Sequence, residues 1–550
     1  MKIEKALRWP AGWLAFILTL CLVTGHEVSE FEYVDLISVR YIGSFVVVFV
    51  LLFLVCSYAF MGLRRWSEKR ALAQATVTRR SLFDFRYPFV LCMAIMMLCW
   101  LPIWLASWPA TFSGDSYVIL WEVDNNQVSR AFPVFYTYVI GGMIAGIRNL
   151  TGSVVAGCAI TCLVQMIFMA GIYTAYIFFF KRKTGSRLAC YIMLVFYCID
   201  PVIQLFSKDL VRDVAFSLFV MLMGFVVYYA LNEPEAIFKK WYLVVLSVAL
   251  LFVTMNLRNV AVFFVAALGL VVLIRALRFR SMASLKAALL VACALLLYVG
   301  YSRTILLNIS VEDTARSSIE KSGSSELLSV PMQQVARVVN TRWFGIDEWE
   351  QRALLQLNSE EVWLNYYDPK NVDGIKYTFN RDQFEATPEV YIEVYMELMK
   401  AYPQEYLNAF LVLNTEVWYP DTIFEGYRSF DNPILYYSPG NALLEEDHSL
   451  FPWLAGIQDE LSYTDSITGI PVLNLIFSPA VALYVLLFAI FYLSYRRERT
   501  GMCLLLCPLI LHLGTLFCPV VNLRYNLITF MAVPIALALI INPQFKLTKE

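Results

Sequence analysis

The chain alternates long apolar stretches with short polar turns, and this pattern predicts a membrane protein with many helices. A bilayer core of roughly 30 Å needs about 20 apolar residues per helix. The sequence predicts twelve transmembrane helices, at residues 9–25, 41–62, 88–107, 153–180, 186–206, 212–231, 241–256, 258–275, 286–306, 471–494, 501–518 and 525–542. A thirteenth apolar stretch, residues 133–148, is 16 residues long and rich in Gly and Tyr.

The basic turns decide whether residues 133–148 cross the membrane, because Lys and Arg are enriched in cytoplasmic loops. If this stretch lies along the outer interface, five basic turns fall in the cytoplasm: 64–80, 181–187, 239–240, 275–286 and 496–499. If it crosses, every basic turn from Lys181 onward lies outside. The sequence therefore predicts both termini in the cytoplasm and residues 307–470 on the extracytoplasmic side of the cell membrane.

Composition and charge agree with this arrangement. Of the 550 residues, 59% are hydrophobic and 16% are charged, whereas about a quarter of a soluble domain is charged. Residues 307–470 contain 27 Asp and Glu against 10 Lys and Arg, a local net charge of −17 within a chain of net charge −1. This distribution gives no support for a nucleic-acid-binding patch. The twelve cysteines lie in or beside apolar stretches, which favours buried thiols over disulfides.

Four regions follow from the pattern. Residues 1–87 hold two transmembrane helices and a basic cytoplasmic loop, and residues 88–306 a transmembrane core with an external loop at 108–152. Residues 307–470 form the acidic extracytoplasmic domain, and residues 471–550 hold three transmembrane helices and a cytoplasmic tail. The acidic domain reads as mainly helical: Thr387-Pro388 predicts an N-cap and a first-turn proline, and the apolar positions after it have helical spacing.

Ionisable residues at the outer ends of the spans are the candidates for chemistry, because lipid makes an unpaired charge costly. In the first external loop, Asp115 lies beside a glycine, with Glu122 and Asp124 further along. A carboxylate at the boundary between water and lipid can act as a general base on an acceptor hydroxyl. Asp115 fits equally well as the N-cap of a following helix.

Three further clusters lie at the outer ends of spans. Their residues are Lys208, Asp209, Arg212 and Asp213, then Arg258 and Asn259, and finally Arg524 and Tyr525. The first cluster alternates bases and acids, so its members either pair with one another or hold an anionic headgroup. Each of the two later arginines needs a partner, which is either a carboxylate or a lipid phosphate, since both match the guanidinium fork.

Several common motifs are absent from the sequence. It has no Walker loop, GxGxxG, HExxH or CxxC motif, and its three histidines, at positions 26, 448 and 512, are scattered. The sequence requires no cofactor, although a divalent metal bridging Asp115 and Asp213 stays open. An external site has no access to ATP or nucleotide sugars, so a transferase working there needs a lipid-linked donor.

A group of short motifs between about residue 88 and about residue 530 carries a resemblance to known proteins. The motifs are Trp100-Leu101-Pro102, Trp108-Pro109, Gly114-Asp115-Ser116, Ser129, Pro133-Val134-Phe135-Tyr136-Thr137, Asp200-Pro201, Arg212-Asp213-Val214-Ala215-Phe216 and Leu257-Arg258-Asn259. On these residues the sequence resembles bacterial multipass proteins of the GT-C glycosyltransferase superfamily, and within it an uncharacterised branch. An external segment of that branch corresponds to residues 327–337, 367–376 and 402–420.

The resemblance implies an all-α GT-C-like fold, with helices around a lipid-access groove and an interfacial helix at 133–148. The family acid that acts as base or metal ligand corresponds to Asp115, and a second acid corresponds to Asp213. Arg258 and Arg524 become candidates for binding the donor phosphate. The sequence departs from the family at Phe132-Pro133, where a His-Pro pair is common, so the resemblance supports the fold more strongly than the reaction.

The leading hypothesis is a glycosyltransferase that uses a polyprenyl-phosphate-linked sugar, embedded among membrane lipids, and an extracytoplasmic glycan, lipid or protein as acceptor. A transporter or lipid flippase is the main alternative, since twelve spans are common in transporters. Transporters usually show repeated halves and ionisable residues near the midplane, and the sequence shows neither. A non-catalytic assembly or sensor protein that binds through the acidic domain is the third hypothesis.

Overall fold

A computed structural model gives the fold of the chain. It describes residues 8–73, 81–112, 116, 119–120, 122–123, 125, 134–258, 260–304, 328–421, 449–462, 471–542 and 544–545. Throughout these residues the secondary structure is helical, and extended pairing is limited to three isolated β-bridges.

The main helices are α1 (Arg8–Phe31), α2 (Val39–Ala73), α3 (Pro88–Ala106), α4 (Gly142–Thr151), α5 (Val154–Thr184), α6 (Arg187–Ile199), α7 (Pro201–Ser207), α8 (Arg212–Asn232), α9 (Trp241–Leu257), α10 (Ala261–Phe279), α11 (Met282–Thr304), α12 (Ser329–Arg342), α13 (Glu348–Leu357), α14 (Pro388–Ala401), α15 (Pro403–Leu413), α16 (Pro452–Ser462), α17 (Pro479–Arg496), α18 (Cys503–Gly514) and α19 (Leu527–Ile541). Shorter helical segments include Val134–Tyr136 and Thr137–Gly141 before α4, Pro234–Phe238 and Thr415–Trp418.

Helices cover all twelve stretches that the sequence predicts to span the membrane. Within the described residues, nine helices are long and apolar enough to cross a bilayer. A tenth candidate is the pair α6 and α7, which bend by 59°. Pro201 lacks the N–H that would continue the hydrogen bonding of α6, and Asp200 caps the new helix by accepting from Ile203 N–H. The remaining two stretches, α9 and residues 503–517, are apolar but shorter. The protein is therefore a multi-pass membrane protein, with nine or ten long apolar helices in the part of the chain that the structure describes.

The predicted basic turns lie together at one end of the helix bundle. Lys183, in the last turn of α5, forms a buried ion pair with Glu233, which follows α8. Arg496, at the end of α17, donates a hydrogen bond of 2.9 Å to Ser67 on α2. The short helix Pro234–Phe238 packs against α9 and α11, so the turns near residues 239 and 281 join the same end. Which side of the membrane this end faces remains a prediction.

The segment between α3 and α5 begins and ends at the opposite end of the bundle. Thr111 N–H donates to the Lys208 carbonyl at 3.1 Å, and the Thr111 carbonyl accepts from Leu210 N–H at 2.9 Å. The helical stretch 134–151 folds back onto the start of α5, where a Cβ on Gly157 would lie 2.7 Å from the Ile144 carbonyl oxygen. The chain thus leaves the bundle after α3 and rejoins it at α5 at the same end, and the interfacial position of 133–148 stays a prediction.

Residues 328–421 form a helical unit with its own hydrophobic core. α12 packs against α15 and α14, and the core includes Val335, Val338, Trp363, Tyr391, Val394, Leu398 and Tyr406. On α14 the predicted stripe is buried at its centre, and Thr387 occupies the N-cap position with Pro388 in the first turn, as predicted. The Thr387 hydroxyl, however, donates to the Gln383 carbonyl of the preceding turn and makes no capping hydrogen bond to α14.

This unit docks directly on the ends of the transmembrane helices. Between α1 and α2, Val34 N–H donates to Asn408 Oδ1 on α15 at 3.1 Å. Val372 N–H donates to the Pro519 carbonyl at 3.1 Å, in the connection between α18 and α19. The described part of the acidic domain therefore lies at the end of the bundle that is remote from the basic turns.

We expect cysteine labelling to show that this end is extracytoplasmic. Phe344 is 100% exposed on the domain, whereas Arg278 is exposed at the basic end, in the last turn of α10. Phe344→Cys should react with a membrane-impermeant maleimide on intact cells, and Arg278→Cys only after permeabilisation, with labelling of the unsubstituted chain subtracted. The reverse pattern would overturn the predicted orientation.

Candidate functional site

The connecting segment 207–211, between α7 and α8, is fixed by hydrogen bonds to its backbone. Besides the pairing with Thr111, Gln165 on α5 donates from Nε2 to the Asp209 carbonyl at 2.9 Å. The Ser116 hydroxyl donates to the Leu210 carbonyl at 2.7 Å. Because the main chain is held from α5 and from the loop after α3, the Lys208 and Asp209 side chains are directed into the protein and both are buried.

Asp213, in the first turn of α8, lies between two arginines from distant parts of the chain. Its Oδ1 is 2.7 Å from Arg258 Nη2, in the turn between α9 and α10. Its Oδ2 is 3.5 Å from Arg524 Nε, just before α19. The structure thus brings together three of the residues that the sequence predicts for the site, and we call Asp213, Arg258 and Arg524 the arginine triad.

Tyr525 packs against both guanidiniums of the arginine triad. Its ring centroid is 4.8 Å from Cζ of Arg258 and 5.2 Å from Cζ of Arg524, which are distances at which a cation and an aromatic face attract each other. Phe216 contacts Arg258 on another side, at 5.8 Å. These aromatic contacts keep two like charges close together, where they would otherwise repel.

The arginine triad remains partly accessible and carries one net positive charge. The side chain of Arg258 is 22% exposed and that of Arg524 is 12% exposed, whereas Asp213 is buried. Neither carboxylate oxygen of Asp213 completes a hydrogen bond with the residues that the structure describes. Both contacts are ion pairs by distance, and the partial exposure of Arg258 leaves it accessible to an anion.

Asp209 is a second buried carboxyl beside the triad, in a different environment. Burial raises its pKa to about 7, while Lys208 and Arg524 lower it and Asp213 raises it. Its Oδ1 has no hydrogen-bond partner among the described residues. Asp209 therefore differs from Asp213, because no guanidinium among the described residues lies within ion-pair distance of the Asp209 carboxylate.

Tyr136 is a site residue that the sequence does not single out, although it belongs to the Pro133–Thr137 run. It lies in the short helix before α4 and is buried, and its hydroxyl has no hydrogen-bond partner among the described residues. Burial raises its pKa well above the usual value, and the charges of Asp209 and Asp213 raise it further. The short helix that carries Tyr136 packs against α9, which ends just before Arg258. Gln165 was also missed, although an amide within an apolar span is a recognised signal.

The other predicted site residues have different outcomes. Asp115 and Asp124 in the first loop, and Asn259 after Arg258, lie outside the described residues. Glu122 is buried and accepts a hydrogen bond of 3.3 Å from the Thr137 hydroxyl. Arg212 begins α8 next to Asp213 and is partly buried. No group of three or more potential metal ligands occurs in the described part of the chain.

Comparison with known proteins gives one result. The model of a family of unknown function, DUF6020, matches residues 111–546. That range includes every residue of the site, and it begins after α3. No curated protein matches the chain, and no solved structure matches it.

Proposed function

We propose that this chain, which belongs to the family of unknown function DUF6020, is a membrane glycosyltransferase that uses a polyprenyl-phosphate-linked sugar. The acceptor is an extracytoplasmic glycan, lipid or protein. The observation that supports the proposal most directly is the arginine triad, in which two guanidiniums share one carboxylate at the end of a helix bundle.

The triad suits a lipid phosphate for three reasons. It carries one positive charge beyond what Asp213 balances, and its location is partly removed from water, where charge interactions are stronger. A guanidinium offers a planar fork of donors that matches phosphate oxygens. The site also lies at the end of the spans, which is the depth at which a polyprenyl phosphate presents its headgroup.

In this proposal different residues have different roles in the transfer of the sugar. The acceptor O–H bond breaks, the acceptor oxygen forms a bond to the anomeric carbon, and the bond from that carbon to the phosphate oxygen breaks. The phosphate leaves with the electron pair, and Arg258 and Arg524 balance its developing charge, with Lys208 and Arg212 nearby. Asp213 holds the two arginines in place. The proton goes to a carboxylate, for which the resemblance favours Asp115.

We expect purified protein to transfer sugar from an undecaprenyl-phosphate-linked donor. If Asp115 is the base, as the resemblance implies, Asp115→Asn should lower the rate by about 10²–10⁴-fold because the amide cannot accept the proton. The measurement is product formation with radiolabelled donors of several sugars. Full activity of Asp115→Asn would remove its assigned role, and flipping of the lipid in vesicles without any sugar transfer would favour the transporter alternative.

A further inference from the structure

Several buried polar atoms in and around the arginine triad have no hydrogen-bond partner among the described residues. Two of them, Oδ1 of Asp209 and the hydroxyl of Tyr136, belong to residues that are 4% and 1% exposed respectively. Buried polar groups are nearly always hydrogen-bonded, so each exception calls for a missing partner such as a water molecule or a ligand.

Both groups belong to segments beside the arginine triad. The short helix Val134–Tyr136 packs against α9, which ends one residue before Arg258, and Asp209 lies four residues before Asp213. The charges of Asp209 and Asp213 also raise the pKa of Tyr136. The charged and titratable groups around Asp209 itself are Lys208 on its own segment, Asp213 on α8, Arg524 before α19, Cys162 on α5 and Tyr136. Asp213 is engaged with two guanidiniums, whereas Asp209 keeps an oxygen available.

A carboxylate oxygen and a phenol hydroxyl together complement one alcohol group. The carboxylate accepts a hydrogen bond from the alcohol O–H, and the phenol O–H donates to the alcohol oxygen. We propose that Asp209 and Tyr136 bind the acceptor hydroxyl beside the donor phosphate, and that Asp209 accepts the proton as the acceptor oxygen bonds to the sugar. This inference rests on the proposed function and assigns to Asp209 the proton that the resemblance assigns to Asp115.

The environments of the two aspartates support this division of roles. Catalytic acids and bases are found where neighbouring titratable groups are placed in contrasting environments. A general base works best when its pKa lies near the working pH, and that of Asp209 is about 7. The transfer rate should therefore fall as the pH drops below about 7, because the carboxylate is then protonated.

The test compares Asp209→Asn, Asp209→Glu and Tyr136→Phe in the full-length protein, with undecaprenyl-phosphate-linked donors. We expect Asp209→Asn to lower kcat by about 10²–10⁴-fold, and to leave the affinity for undecaprenyl phosphate itself unchanged. Asp209→Glu should restore part of the rate and move the acidic limb of the pH profile. Tyr136→Phe should mainly raise the KM for the acceptor, by about five- to tenfold, the effect of one lost hydrogen bond.

Asp200→Asn is a matched control. Asp200 is also buried, but its carboxylate already accepts a hydrogen bond from Ile203 N–H, and Asn caps a helix equally well. It should retain wild-type transfer. If Asp209→Asn keeps more than half of the transfer rate while Arg258→Gln loses it, the pair only holds a buried water and the assignment is wrong. If the wild-type protein transfers no sugar, or Arg258→Gln transfers normally, the proposed function fails and the assignment fails with it.

Discussion

Arg258→Gln should reduce sugar transfer by about 10²–10³-fold, the usual cost of removing one donor that stabilises developing charge. Arg258 approaches Asp213 through one terminal nitrogen, and its side chain is the more exposed of the two arginines in the triad. It is therefore the better placed to reach a phosphate that enters from outside. The measurement is the transfer rate at saturating donor, together with the affinity for undecaprenyl phosphate.

Two further variants make the Arg258 result specific. Arg278→Gln removes an equal charge at the other end of α10, where the side chain is exposed, and it should leave transfer unchanged. Arg258→Lys keeps the charge but loses the planar fork and should give an intermediate rate. A normal rate in Arg258→Gln would show that no phosphate is held at the triad, whatever reaction the protein performs.

The transmembrane helices could be predicted from the sequence because lipid imposes a length and a composition on each span. The limits of that rule appear at α7 and α9. The hydropathy of a stretch does not show the bend at Pro201, which depends on where the next helix is capped. It also does not distinguish a full span from a 17-residue helix such as α9.

The sequence allowed single residues of the site to be predicted, but not which of them contact one another. The sequence indicates that Arg258 and Arg524 need partners, since a charge at the lipid boundary is costly without one. It does not show that both share Asp213, because Lys208 and Arg212 are the nearer neighbours of that acid in the sequence. The choice is made by the packing of α8, the turn after α9 and the turn before α19.

The connection between α18 and α19 joins the acidic domain to the triad. Asn371 and Val520 form an isolated β-bridge, and Val372 bonds to Pro519 in the same connection. Arg524 lies a few residues further along this connection. The position of Arg524 therefore depends on contacts made by the domain as well as by the membrane helices.

Asp213→Asn should lower the thermal stability of the purified protein in detergent and make that stability strongly dependent on phosphate. Removing one partner from a buried ion pair costs on the order of 3 kcal/mol, because the other charges stay behind without compensation. The variant carries two positive charges where the wild-type triad carries one. An added anion that occupies the site restores part of the loss by mass action, since it binds the folded state alone.

The measurement is the shift in unfolding temperature of Asp213→Asn and of the wild type on addition of a ligand. Undecaprenyl phosphate and inorganic phosphate are added in separate experiments, and each is compared with sodium chloride at equal ionic strength. We expect a larger shift for Asp213→Asn than for wild type, and a smaller one when Arg258→Gln is added, because that change removes the excess charge. A response to the lipid alone would indicate that the polyprenyl chain is needed for binding. Equal shifts in chloride and in both phosphates would instead show simple screening of two arginines, and the triad would then have no role in binding a phosphate.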